Sequence, residues 1–149
     1  MKQEIIDKLP PDAQKEFLRL AMKLDEKTKQ EKVHDSFLDF VKHVWPEFIE
    51  GPHHKKIADK FNKLAKGKIK RLIINMPPRH TKSEFASFLL PSWMVGRKPD
   101  LKIIQTTHTT ELAIRFGRKA KTLIDSPEYQ QIFKTRLRED SQAAGKWET

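Results

Sequence analysis

Leu72-Ile73-Ile74-Asn75-Met76-Pro77-Pro78-Arg79-His80-Thr81-Lys82-Ser83-Glu84 is the stretch on which the reading of this chain turns. Leu72 to Ile74 is apolar and mostly β-branched, which predicts a short buried strand. A polar loop with two prolines follows. Lys82-Ser83 then opens a helical pattern, with Phe85, Phe88 and Leu89 on one side.

Strand, loop, Lys-Ser, helix is the layout of a nucleotide phosphate-binding loop. Clustered phosphate charge needs a concave cradle of backbone N–H groups at a helix N-terminus. A Lys at the helix start adds a full charge that reaches the β- and γ-phosphates, and the hydroxyl after it can sit on Mg²⁺. The usual pattern is G-x-x-x-x-G-K-S/T. In that frame Met76 and Thr81 stand at the two glycine positions. A buried strand, a proline-stiffened turn and an ordinary helix N-terminus account for the same residues without any ligand.

Pro77-Pro78-Arg79-His80-Thr81-Lys82-Ser83-Glu84 resembles the variant Walker A loop of tailed-phage terminase large subunits, usually Pro-Pro-Arg-His-Gly-Lys-Ser. The likeness continues in order through Glu111-Leu112-Ala113, Arg115-Phe116, Leu123-Ile124, Ser126-Pro127-Glu128-Tyr129 and Ile132-Phe133. It ends in Asp140 to Ala144 and Lys146-Trp147-Glu148-Thr149, which resemble the lead into the Walker B region. It covers about residues 36 to 149. Thr81 departs from the family's glycine, which tolerates a positive φ that Thr resists.

The resemblance implies an α/β fold: a P-loop NTPase parallel sheet with flanking helices, incomplete, preceded by an N-terminal helical segment. Residues 1–34 are expected to be an appendage or linker. Residues 35–149 are expected to be the N-terminal portion of the ATPase domain, ending before the Walker B acids and without the nuclease domain. The implied function is the ATP-binding part of a motor that packages viral double-stranded DNA into a procapsid, with ATP and Mg²⁺ as cofactors. Pro78, Arg79, His80, Thr81, Lys82, Ser83 and Glu84 would form the phosphate loop, with Lys82 on the β/γ-phosphates and Ser83 on Mg²⁺. Arg79 would stabilise charge near the γ-phosphate, or else pair with a local carboxylate such as Glu84. Trp45, His53 and His54 are candidates for the adenine side; core packing for Trp45 and a water-facing helix start for the histidines are the other readings. In relatives the partners are DNA, the portal protein and the terminase small subunit, in a homo-oligomeric motor in the host-cell cytoplasm. Without the second-side acids, this chain alone is expected to be inactive as an ATPase. A helicase-type ATPase and a non-catalytic basic DNA-binding adaptor are the rival readings.

Composition agrees with a polyanion partner. The 149 residues carry a net charge of +10, 37% hydrophobic and 34% charged residues. A solvated basic surface would give the same balance. The absence of Cys excludes disulfides and thiolate metal sites. No apolar run reaches membrane-spanning length and no secretory signal is visible, so a soluble intracellular protein is expected, with no membrane partner.

Along the chain, Pro10-Pro11-Asp12 starts a helix with Ala13, Phe17, Leu20, Ala21 and Leu24 at helical spacing. Asp25 to His34 reads as a solvated helix end or linker. Asp35-Ser36 caps a second helix ended by Trp45-Pro46, and a third runs from about His53 to Gly67. Leu101 to Gln105 reads as a second buried strand. Thr110 then caps a helix whose Arg115, Arg118, Lys119 and Lys121 could track a DNA backbone or form a solvated outer face. Strand, helix, strand, helix predicts parallel strands joined by right-handed crossovers.

Overall fold

Prolines, hydroxyls and glycines punctuate a set of helices in the computed structural model, which describes residues 10–138 and Trp147. Asp140 to Ala144, Lys146, Glu148 and Thr149, which carried the end of the resemblance, lie outside the described residues. Helix α1 spans Pro11–Asp35, with Pro in its first turn, Asp12 near its start and Lys32 and His34 near its end. That charge order suits the helix dipole. The helix continues unbroken through Asp25 to His34, and its buried residue is Val33.

Ser36 separates α1 from α2 (Phe37–Val44). Its N–H donates to Lys32 O and its hydroxyl accepts the Asp39 N–H at 3.4 Å. Phe37, Phe40 and Val41 of α2 face the core. Trp45 leaves helical geometry before Pro46. Helix α3 (Pro52–Ala65) buries Ala58 and Phe61 and stops at Gly67, whose φ of 70° needs a residue without a Cβ penalty.

After the loop, α4 (Lys82–Glu84) runs through a π-helical stretch, Phe85–Leu89, into α5 (Leu90–Arg97). Pro91 explains the wide turn. It has no N–H and its ring crowds the carbonyl four residues back. The ladder shifts accordingly, and the Leu90 N–H donates to Phe85 O. The Ser92 hydroxyl then donates to Phe88 O at 2.8 Å. Helix α6 (Thr110–Ile124) is capped by Thr109, one residue before the expected Thr110, and α7 (Pro127–Gln130) by Ser126.

The helices meet on an aromatic core. Phe37 stands edge-on to Phe61, Phe85 and Trp93, with ring centroids 5.0, 5.4 and 5.6 Å apart. Burying each such side chain contributes about 1.5–3 kcal/mol, and edge-to-face pairs add about 0.5–1.5 kcal/mol. Polar tips are satisfied: Trp93 Nε1–H donates to His34 O at 3.1 Å, and the Tyr129 hydroxyl donates to Ser92 O at 2.7 Å. Burial pushes the Tyr129 phenol well above its usual pKa.

The expected parallel-sheet P-loop α/β fold is not what the chain adopts. The described residues are helical, with no strand or sheet. Leu72–Ile74 and 101–105 lie outside helices but join no ladder. A doubly covered strand buries every residue in it. Here Leu72 and Ile74 pack against the helical core while Ile73 is 86% exposed, and Ile104 is 91% exposed. The apolar run covers one side of a helix cluster instead of filling the middle of a sheet.

Candidate phosphate-binding loop

The loop from Pro77 to Thr81 enters the helical run at α4, and two of its residues are left-handed. Arg79 has φ 63° and Thr81 has φ 58°, ψ 8°. Thr81 thus takes a backbone that favours glycine, although its Cβ branching opposes it. A left-handed residue followed by helical Lys82 is the kind of backbone turn from which an anion nest can be built.

A chain of hydrogen bonds holds Thr81 there. The Gly51 N–H donates to His54 Nδ1 at 2.8 Å. Nδ1 therefore carries no proton, and Nε2–H donates to Thr81 Oγ1 at 2.7 Å. The Thr81 hydroxyl in turn donates to His80 O at 2.7 Å. His80 uses Nδ1–H to reach Pro78 O at 2.9 Å, closing the turn. His54 is buried, and that burial, followed by the neighbouring His53, holds its pKa below the ordinary value. It is the neutral form that can accept from Gly51 and donate to Thr81 at once.

The remaining expected residues fall into two groups. His53, His54 and His80 come together: His53 lies 3.8 Å from His54 and 5.7 Å from His80, ring to ring. Trp45 stands one ring further out. It packs on Phe48 at 5.5 Å, and Phe48 packs on His54 and Phe85. Lys82 Nζ reaches back over the loop to Met76 O at 3.5 Å. Arg79, Lys82 and Ser83 are exposed. Glu84 pairs with Lys119 at 2.7 and 2.9 Å, not with Arg79. That pair ties α4 to α6.

On α6, Arg115 and Arg118 are exposed, Lys119 is held by Glu84 and lies 5.5 Å from the Phe88 ring centroid, and Lys121 is half-buried. An open cavity of about 840 Å³ lies beside them, floored by Val44, Phe88, Ile114 and Leu123 and rimmed by Arg115 and Arg118.

The loop suits a phosphate chain in two respects: a left-handed turn at Thr81, and a Lys and a hydroxyl after it that are both exposed. Among the described residues no group of three or more His, Asp or Glu side chains converges as a metal site. A Mg²⁺ on Ser83 would therefore take its other ligands from phosphate and water, as Mg²⁺ in nucleotide sites usually does. The part played by His54 was missed from sequence as a loop anchor. Its signal was half present: Gly51-Pro52-His53-His54 places a polar side chain at the third helical position, from which it can reach back to the cap. Its bond to Thr81 crosses 27 residues and leaves no local pattern. Among the described residues no helix is long and apolar enough to cross a membrane. Compared with family models, curated proteins and solved structures, the chain matches none.

Proposed function

We propose that this chain binds ATP through the Pro78 to Glu84 loop, as the nucleotide-holding part of a motor of the terminase large-subunit type that packages viral double-stranded DNA. The observation that carries the reading is the left-handed Thr81 immediately before Lys82-Ser83. A β-branched residue is held in that conformation at a cost of about 1–2 kcal/mol, and such strain is kept where a site needs the geometry. The reading rests on the loop alone, without the strand that usually precedes such a loop. In it Lys82 takes the β- and γ-phosphates, Ser83 takes Mg²⁺, exposed Arg79 faces developing charge at the γ-phosphate, and His53 and His80 border the site beside His54.

Binding rather than turnover is proposed for this chain. Glu84, the acid next to Ser83, is committed to Lys119. Arg115 and Arg118 are the proposed contacts to the DNA backbone. The portal protein, the small subunit, a homo-oligomer and the host-cell cytoplasm belong to the same proposal for the full-length motor.

Titration with a fluorescent ATP analogue in Mg²⁺ tests it. Lys82→Ala should weaken binding by about tenfold or more, because a charge-assisted contact contributes about 1.5–3 kcal/mol. Equal affinity in wild type and variant would remove the phosphate-loop reading and leave the basic DNA-binding adaptor.

A further inference from the structure

Helix α1 carries an apolar seam that nothing among the described residues covers. Ala13, Phe17, Leu20 and Leu24 recur at intervals of four, three and four residues, the alternation of d and a positions in a coiled coil. Phe17, Leu20 and Leu24 are all exposed. An apolar stripe of this kind turned to water marks a contact surface.

The flanking charges choose the occupant. Glu16 and Lys23 directly precede Phe17 and Leu24, so both take g positions; both are exposed. The e positions, Gln14, Ala21 and Thr28, are uncharged. Parallel pairing sets g against e and would give Glu16 and Lys23 no ionic partner. Antiparallel pairing sets g against g. It brings Glu16 of one chain beside Lys23 of the other, and a two-fold axis repeats the pair. The same arrangement packs Phe17 against Leu20 of the second copy and small Ala13 against Leu24.

We propose that a second copy of this chain docks on α1, forming an antiparallel two-helix seam centred between Phe17 and Leu20, with Glu16 of each chain paired to Lys23 of the other. The seam belongs to α1 alone and does not depend on the nucleotide reading. Its side chains are outside the aromatic core, so substitutions in it leave the fold in place.

Sedimentation equilibrium of the full chain over a wide concentration series is the test, with far-UV circular dichroism to confirm helix content. Wild type should dimerise reversibly. Leu20→Asp should weaken the dimer at least about tenfold, since it sets a charge in the seam. Glu16→Lys and Lys23→Glu should each weaken it severalfold at low salt, because each turns two attractive pairs into two repulsive ones. The Glu16→Lys/Lys23→Glu double variant should recover wild-type affinity. A chain that stays monomeric throughout, including one that instead partitions onto anionic lipid vesicles, would overturn the proposal. So would a dimer indifferent to Leu20→Asp, or a double variant no tighter than the singles.

Discussion

At Thr81 two effects of similar size oppose one another. The left-handed backbone costs a β-branched residue about 1–2 kcal/mol. The side chain recovers that cost through His54 and His80, and removing it would leave a buried donor on His54 unpaired at about 1–3 kcal/mol. Thr81→Gly should therefore change stability little, while Thr81→Ala keeps the strain, loses the bonds and should cost about 1–3 kcal/mol. Urea denaturation of the two variants checks this order; Ala at or above Gly in stability would mean that the His54 link contributes nothing. His54 also sets a pH dependence. Its folded pKa is depressed below the ordinary histidine value of 6.5, chiefly by burial. The unfolded chain then binds more protons on this residue below that value, so stability rises with pH there. The contribution is full above pH 6.5 and is lost as pH falls through the depressed folded value. His54→Asn keeps an acceptor for the Gly51 N–H and titrates nothing. Its stability should fall less than that of wild type between about pH 7 and about pH 5, and parallel curves would contradict the assignment.

At the scale of elements, the Lys82 to Arg97 run is shaped by what it must pass. Pro91 forces the wide turn, the Ser92 hydroxyl donates to the Phe88 carbonyl beside it, and the Ser92 carbonyl receives Tyr129. Close to its end, Gly96 lies under the Tyr129 and Phe133 rings. A Cβ there would stand 2.5 Å from Phe133 Cγ and from the Tyr129 hydroxyl oxygen. Both rings are buried and cannot swing away. Gly96→Ala should destabilise the chain by about 1–3 kcal/mol despite the better helix propensity of Ala. Thermal or urea unfolding reads it, and a neutral or stabilising result would show that α5 and α7 slide apart at little cost. The neighbouring Arg97 lies over the Trp93 ring at 4.7 Å and 3.8 Å from Asp35, which joins the end of α5 to the end of α1. The hydrogen bond from His34, and then Arg97, hold the Asp35 carboxyl below its usual pKa.

For the molecule as a whole, charge is the dominant property. With +10 net charge, binding to duplex DNA should be non-specific, and log affinity should fall linearly with log salt. Arg115 and Arg118 rim one open face, whereas Lys119 is already paired. Arg115→Ala/Arg118→Ala should reduce the salt slope by about 2, one phosphate contact for each residue. A mobility-shift series measures it. An unchanged slope would place the DNA path elsewhere, and no binding at low salt would leave the charge as a solvated surface.

The sequence by itself determined most of the helix boundaries, though not that the first helix runs on through Asp25 to Asp35. Pro11, Ser36, Trp45-Pro46, Pro52, Gly67, Ser126-Pro127 and the apolar spacing within each segment act through neighbours a few residues away, so their effect can be read locally. It also marked the loop, since Lys82-Ser83 at a helix start is a local pattern. Only the tertiary structure decided the fate of Leu72–Ile74 and 101–105. A strand exists only if another backbone completes its ladder, and composition cannot say whether that partner arrives. Leu72 and Ile74 found a helical surface, while Ile73, Ile103 and Ile104 face water. Only the tertiary structure could bring His54 to Thr81, or Lys119 to Glu84, because these pairs are joined by packing of α3 and α6 around the loop and by nothing along the chain.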